Sequence, residues 1–225
     1  MLETFIKNLK KSPKKSVFNP WWDIDPENDL NKNGPKIRRQ QLTQYIKERQ
    51  GKIKYLLLGE ALGYQGGHFT GIAMTSERIL LDQMHHKGIT AKHIFKKLSP
   101  QRTSNPKIKE NGFTEPTATI VWGFMVQNNI DPNSFLIWNA FPWHPFHQNR
   151  GILSNRTPKP DEFSKGLKIL HDLIKLSGPK KIIAIGEKAH LQLNEMGIKN
   201  IKVRHPANGG AGKFRNQMLD IIEKN

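Results

Sequence analysis

Four short apolar runs constrain this chain more than anything else in it. Residues 55–58 stop at Gly59, residues 135–138 at Asn139, residues 182–185 at Gly186, and residues 201–203 at Arg204-His205. The first three, short and uniformly apolar, read as buried strands, and Ile201 to Val203 as a fourth short strand. Helix-like stretches lie around them: 36–50 with Ile37, Tyr45 and Ile46, and 77–87 with Ile79, Leu80 and Met84. Further helices are expected over 118–128, over 161–176 with Phe163, Leu167, Leu170 and Ile174 on one stripe, and over 187–195. A last one carries Phe214, Met218, Ile221 and Ile222. Strands alternating with helices predict an α/β fold, three layers deep, around a short, mainly parallel four-stranded sheet.

One domain is expected over 1–225, with residues 1–35 as a basic, aromatic arm lying over it. Two readings fit its FNPWW segment (18–22): rings packed on the core edge, or tryptophans stacking on DNA bases. Residues 99–117 hold three prolines, basic residues and almost no core material, and read as a long surface loop. Residues 139–160 read as a second long loop.

Lysine and arginine number 36 against 19 acids, a formal charge of +17. Self-repulsion of that size fits a polyanionic partner, nucleic acid first, or a basic protein with no such partner. There is no cysteine, which excludes disulfides, thiolate metal sites, iron–sulfur clusters and a catalytic thiol. No run approaches the roughly 18 apolar residues of a membrane span, and the N-terminus lacks the apolar stretch of a signal peptide. The expectation is a cytoplasmic protein, nucleoid-associated if bacterial.

In a parallel sheet the ligand sits beyond the C-terminal strand ends. Three segments fall there. GEALGYQGGHFTG (59–71) is glycine-rich but carries neither a Walker nor a GxGxxG pattern; it suits a close backbone approach to ligand or a plain strand-to-helix turn. His205 follows the fourth strand in VRHPANGG (203–210). His144 and His147 have a metal-like spacing but no third ligand nearby, so no metal or other cofactor is expected. His85 and His86 read as a solvated helix face. No GxSxG elbow is present.

Together these segments resemble the uracil-DNA glycosylase superfamily. GEALG (59–63) is similar to its first motif, and Gly67-His68-Phe69-Thr70-Gly71 to the small-residue and Phe segment after it. WNAFPWHP (138–145) is similar to the strand whose last Asn reads the base, and RHPANGG (204–210) to the His-Pro second motif. With NPWW (19–22) and IGEKA (185–189) the resemblance spans most of the chain. The absence of cysteine sets it apart from the iron–sulfur branches.

The resemblance implies a monomeric, monofunctional base-excision repair enzyme that hydrolyses the bond between sugar and a flipped-out uracil. The chemistry asks for an aromatic face, which Phe69 offers, and an amide that both donates and accepts, which Asn139 offers. It asks for a donor to the oxygen where charge develops, His205, and a carboxylate to orient water. Glu60 is the only acid in the first motif, and orienting water and bracing the loop both fit it. Gly59, Ala61, Gly63 and Tyr64 complete the expected base pocket. Arg150, Arg156, Arg204, Asn208, Gly209, Gly210, Lys213 and Arg215 are the expected DNA contacts.

The sequence departs from the best-studied branch in three places. Ala61 stands where that branch has its water-orienting acid, Leu62 where it has proline, and Gly63 where it has the bulky Tyr that excludes thymine's methyl. Gly63 with Ala61 suggests, as an alternative, a glycosylase for hypoxanthine, xanthine or a mismatched base. Ala61 also fits a silent nucleic-acid-binding protein on the same scaffold.

Overall fold

The computed structural model describes residues 1–223; the last two residues of the expected 1–225 unit lie outside. The chain begins with α1 (Leu2–Asn8), β1 (Val17–Phe18), α2 (Gly34–Arg49) and β2 (Tyr55–Ala61). Three one-turn helices follow, α3 (Gly67–Thr70), α4 (Glu77–Leu80) and α5 (Ala91–Ile94), with a 3-10 turn at His85–Lys87. Next come α6 (Pro116–Gln127), β3 (Phe135–Phe141), β4 (His144–Pro145) and a 3-10 turn at Gln148–Arg150. The chain finishes with α7 (Pro160–Ser177), β5 (Lys181–Ile185), α8 (Glu187–Glu195), β6 (Ile201–Val203) and α9 (Ala211–Glu223).

All four apolar runs become strands of one sheet, ordered β3-β2-β5-β6 and parallel throughout. Helices flank it, giving the expected α/β/α architecture. Leu56, Leu57, Leu58 and every residue of β3 are buried, as strands covered on both faces require. The two central strands run further than their apolar cores. Gly59 pairs with Asn139 and Ala61 with Phe141, so residues 59–61 are sheet and not loop. Residues of the first motif are thereby fixed by backbone ladders.

α6 starts at Pro116, whose missing N–H has no helical partner to lose, and buries Val121, Trp122, Phe124 and Met125. α7 is amphipathic and closed at its start by Glu162, which accepts from the Lys159 N–H (2.8 Å). Its buried face centres on Gly166, Ile169, Leu170 and Leu173, one position round from the expected stripe, so Phe163 and Ile174 flank the core.

Three expectations change. The helix over 77–87 breaks after Leu80, because Asp82 turns left-handed (φ 56°) and its carboxylate caps α5 through the Ala91 N–H (2.7 Å). Residues 99–117 are not a free surface loop. Buried Glu77 accepts from the Thr103 and Ser104 N–H groups (2.8 and 2.9 Å), and Phe113 is buried. Residues 139–160 are interrupted by β4, which pairs antiparallel with β1.

That pairing also ties down the N-terminal segment. Trp21 is fully buried, stacks on Trp138 (5.7 Å between centroids) and donates to the Gly71 carbonyl (3.1 Å). The core-edge reading of FNPWW therefore holds for Trp21, and its ring is closed to a base. Trp22 is half-buried beneath the Arg39 guanidinium (4.9 Å).

Candidate active site

A cleft of about 1060 Å³ opens at the C-terminal ends of the strands. Residues 59–63 and Met74 form part of its wall, with Glu115, Asn139 and Asn155. Gly186, Glu187, Lys188, Arg204, His205 and Asn208 also line it. Asn139, His205 and Glu60, far apart in sequence, are thus brought together.

Asn139 is buried in β3 beside Gly59 of β2. Its amide nitrogen faces the Trp138 carbonyl and its oxygen the Leu62 N–H, both at 3.3 Å. An amide has two N–H groups and two oxygen lone pairs; one of each remains for a ligand. Only glycine fits at 59: a Cβ there would stand 2.5 Å from the Asn139 amide and 3.1 Å from the Met74 methyl.

His205 lies against Gly186 at the start of α8. The Ala207 N–H donates to its Nδ1 (3.1 Å). In the neutral ring Nε2 therefore carries the proton. Burial, with the Arg204 charge beside it, pushes the imidazole pKa down and keeps the ring neutral near pH 7.

Three carboxyl groups share the cleft; Glu187 is paired with Lys202 (2.7 Å). Side chains alternate along a strand, so Glu60 leaves the sheet on the face opposite Gly59 and Ala61. Its Oε2 lies 3.5 Å from Lys188 Nζ, while Oε1 is buried without a hydrogen-bond partner among the described residues. The third acid, Glu115, was not foreseen. It precedes α6, forgoes any side-chain bond to the helix N-terminus, and packs its Oε2 against Gly66. Burial pushes its carboxyl up to about 7.

Other expected residues take different places. Phe69 does not reach the cleft: its ring is fully buried and stacked on Phe113 (4.3 Å), so its face is covered. Tyr64 is half-buried and turned edge-on to Phe113, outside the cleft lining; its N–H donates to Asn155 Oδ1 (3.0 Å). Arg156 borders the cleft, but Glu162 takes two of its N–H groups (both 2.7 Å). The Phe146, Ser16 and Thr157 carbonyls take the rest. A guanidinium has five donors, so none is left for a phosphate, and Arg156 is a clamp between segments.

Arg204 and Asn208 lie on the rim, followed by exposed Gly209 and buried Gly210. Arg150 and Lys213 are exposed, Arg215 is half-buried, and all three lie outside the cleft lining. Lys159 and Lys188, outside the expected set of DNA contacts, do line it. A second groove, of about 820 Å³, adjoins the cleft through His147, Arg156 and Lys159 and carries Lys14, Lys15 and Lys165.

Under the first motif, His144 and His68 form a buried chain. The Ser154 carbonyl only accepts, so His144 Nε2 donates to it (2.8 Å). Burial pushes the His144 pKa down to about 3, which leaves its Nδ1 bare to accept from His68 Nδ1 (3.0 Å). One more proton lies between His68 Nε2 and Asp25 Oδ2 (3.0 Å). The metal-like spacing of His144 and His147 serves packing: His144 is engaged here and His147 is at the rim.

The sequence model of the uracil DNA glycosylase superfamily matches residues 47–223. The chain belongs to this superfamily. The matched span covers every strand of the central sheet and all three residues that meet in the cleft. A superfamily name thus joins a fold already seen. The crystal structure of wild-type SMUG2 from Pedobacter heparinus is similar, with a TM-score of 0.60 and 12% identity over 99% of this chain and 97% of that one. At that identity the likeness concerns the fold. No curated protein sequence matches the chain. No helix among the described residues is long and apolar enough to cross a membrane.

Proposed function

We propose that this protein is a monomeric DNA glycosylase that hydrolyses the bond between deoxyribose and a uracil flipped out of DNA, leaving an abasic site. One observation carries the reading: Asn139, His205 and Glu60 line one cleft at the strand ends, and Glu60 Oε1 has no partner among the described residues. Breaking the bond builds positive charge on the sugar and negative charge on the departing base. The free N–H and lone pair of Asn139 match the donor–acceptor edge of the base. Neutral His205 presents Nε2–H to the base oxygen that gains charge, and a neutral donor needs no proton transfer to act. Glu60 Oε1 accepts from a water directed at the sugar carbon, and Lys188 holds the other oxygen. Met74, beside Gly59, supplies an apolar wall where Phe69 does not reach.

The basic rim fits a DNA backbone. Arg204 and Lys188 stand at the cleft, and the adjoining groove with Lys14, Lys15 and Lys165 continues the positive surface along a strand. Phosphate contacts of this kind give affinity without sequence preference.

The test is excision from a labelled oligonucleotide with a single uracil, single- and double-stranded, read by alkaline cleavage. Product that disappears in His205→Ala and Asn139→Ala, with DNA binding retained, is the expected result. No product at excess enzyme rejects uracil. A second reading, excision of hypoxanthine or xanthine, is favoured by Gly63, where even a Cβ would meet only the Asn155 amide at 3.5 Å. A panel of lesion-bearing oligonucleotides separates the two, and activity on uracil alone removes the second.

A further inference from the structure

Glu115 is the one cleft acid with neither a role in the proposed mechanism nor an ion-pair partner among the described residues, and its surroundings are unusual. It directly precedes α6, where a short polar side chain would normally cap the helix, yet it makes no such bond. Its carboxyl group turns instead against the first-motif loop. Gly66 accommodates it: a Cβ at that position would overlap Oε2 outright and stand 3.3 Å from the Thr75 carbonyl. Oε2 is sealed there without a partner among the described residues, which leaves Oε1 as the oxygen on the cleft side.

Three residues upstream fix this placement. Phe113 is stacked on Phe69, and Thr103 and Ser104 are held by Glu77, so the segment entering α6 is anchored at both ends. The Gly66 backbone that packs on the carboxyl carries no charge. The other cleft acids are paired, Glu60 with Lys188 and Glu187 with Lys202. Burial is the cause of the upward shift at Glu115 and favours its neutral form.

Deamination replaces an amino group by a carbonyl oxygen. A donor in the cleft wall favours the carbonyl and is left unpaired against the amine, and an unpaired buried group is a strong discriminator. We propose that Glu115 senses the exocyclic oxygen that deamination places on a base, its carboxylic acid O–H donating to that oxygen from the cleft wall. The assignment rests on the glycosylase reading and adds a specificity-determining residue to it. Asn139 alone reads one edge; with Glu115 the cleft selects deaminated bases as a class.

Single-turnover excision from uracil and hypoxanthine oligonucleotides tests this with Glu115→Gln and Glu115→Leu, from pH 5.5 to 8.5. Binding to abasic-site DNA and the melting temperature report folding. Glutamine keeps a donor and cannot ionise; leucine keeps the bulk and has none. The expected wild-type rate falls as pH rises through about 7, where the proton leaves. Glu115→Gln stays within about threefold of wild type at pH 6 and loses that alkaline limb, while Glu115→Leu loses about 30-fold or more, the loss of one buried donor. Wild-type rates in Glu115→Leu overturn the proposal and leave the glycosylase reading standing. Equal loss in both variants, with a wild-type rate that rises through pH 7, makes Glu115 a base and also overturns it. No product from the wild type on either lesion removes the glycosylase reading, and this assignment with it.

Discussion

Gly59→Ala isolates the geometry of the cleft from its chemistry. The substitution adds one methyl group in a strand and touches no titratable residue. The new Cβ would stand 2.5 Å from the Asn139 amide and 3.1 Å from the Met74 methyl. Ordinary contact begins near 3.4 Å, so the amide must retreat by about 0.9 Å. Misplacing a positioning group by about 1 Å costs about 100-fold in rate, close to 2.7 kcal/mol in the barrier. Stability moves less, since the overpacking cost of about 1–3 kcal/mol is offset by about 0.4–1 kcal/mol from a stiffer unfolded chain. Gly63→Ala is the control, because its Cβ would meet Asn155 at 3.5 Å. Single-turnover excision beside thermal melts reads both effects. A Gly59→Ala enzyme within threefold of wild type, or a Gly63→Ala enzyme equally damaged, refutes the reasoning that Asn139 works from this one position.

Further outcomes follow from the same structure. Glu60→Gln lowers excision by about 100-fold or more if the carboxylate orients water and leaves affinity for uracil DNA intact; a loss below tenfold reduces Glu60 to a brace. Arg156→Met strands buried Glu162 and costs about 3–5 kcal/mol, a drop of about 6–20 °C in melting temperature at about 2–4 °C per kcal/mol, with no change in the salt dependence of DNA binding. Lys14→Ala and Lys15→Ala do the reverse, flattening the salt dependence by about 0.9 per lost duplex phosphate contact without moving the melt. His144 binds its proton more weakly folded than unfolded, since burial pushes its pKa to about 3. Its stabilisation is therefore full above about pH 6.5 and is lost as pH falls toward 3; a melt series over that window shows the slope, and His144→Gln flattens it.

The sheet was legible because strands buried on both faces leave an unbroken apolar signature, and three of the four runs did; the fourth, Ile201-Lys202-Val203, is an edge strand with only Val203 buried. The cleft was legible through the polar residues that end those runs: Glu60, Asn139 and His205 meet as the strand-end rule requires. What stayed hidden depends on contacts with no local period. Phe69 offered a plausible stacking face until Phe113, 44 residues on, covered it. Residues 99–117 looked solvated because threonine and serine carry no burial signal; a carboxylate from Glu77 draws them inward. Arg156 read as a phosphate contact by its charge, yet its donors are all taken within the protein. Glu115 gave no sign in sequence, since an acid before Pro116 looks like an ordinary helix start.

The Arg156 clamp bears on how the protein is made. One of its five bonds reaches the Ser16 carbonyl, 140 residues earlier, and Trp143 reaches the Leu9 carbonyl across 134. At a ribosomal rate of about 5–20 residues per second, the N-terminal segment waits on the order of 10 s for these partners. Over that interval Trp21 and its neighbours are exposed hydrophobic surface on a nascent chain, and a molecular chaperone that shields them until residue 156 emerges would govern the yield of native protein.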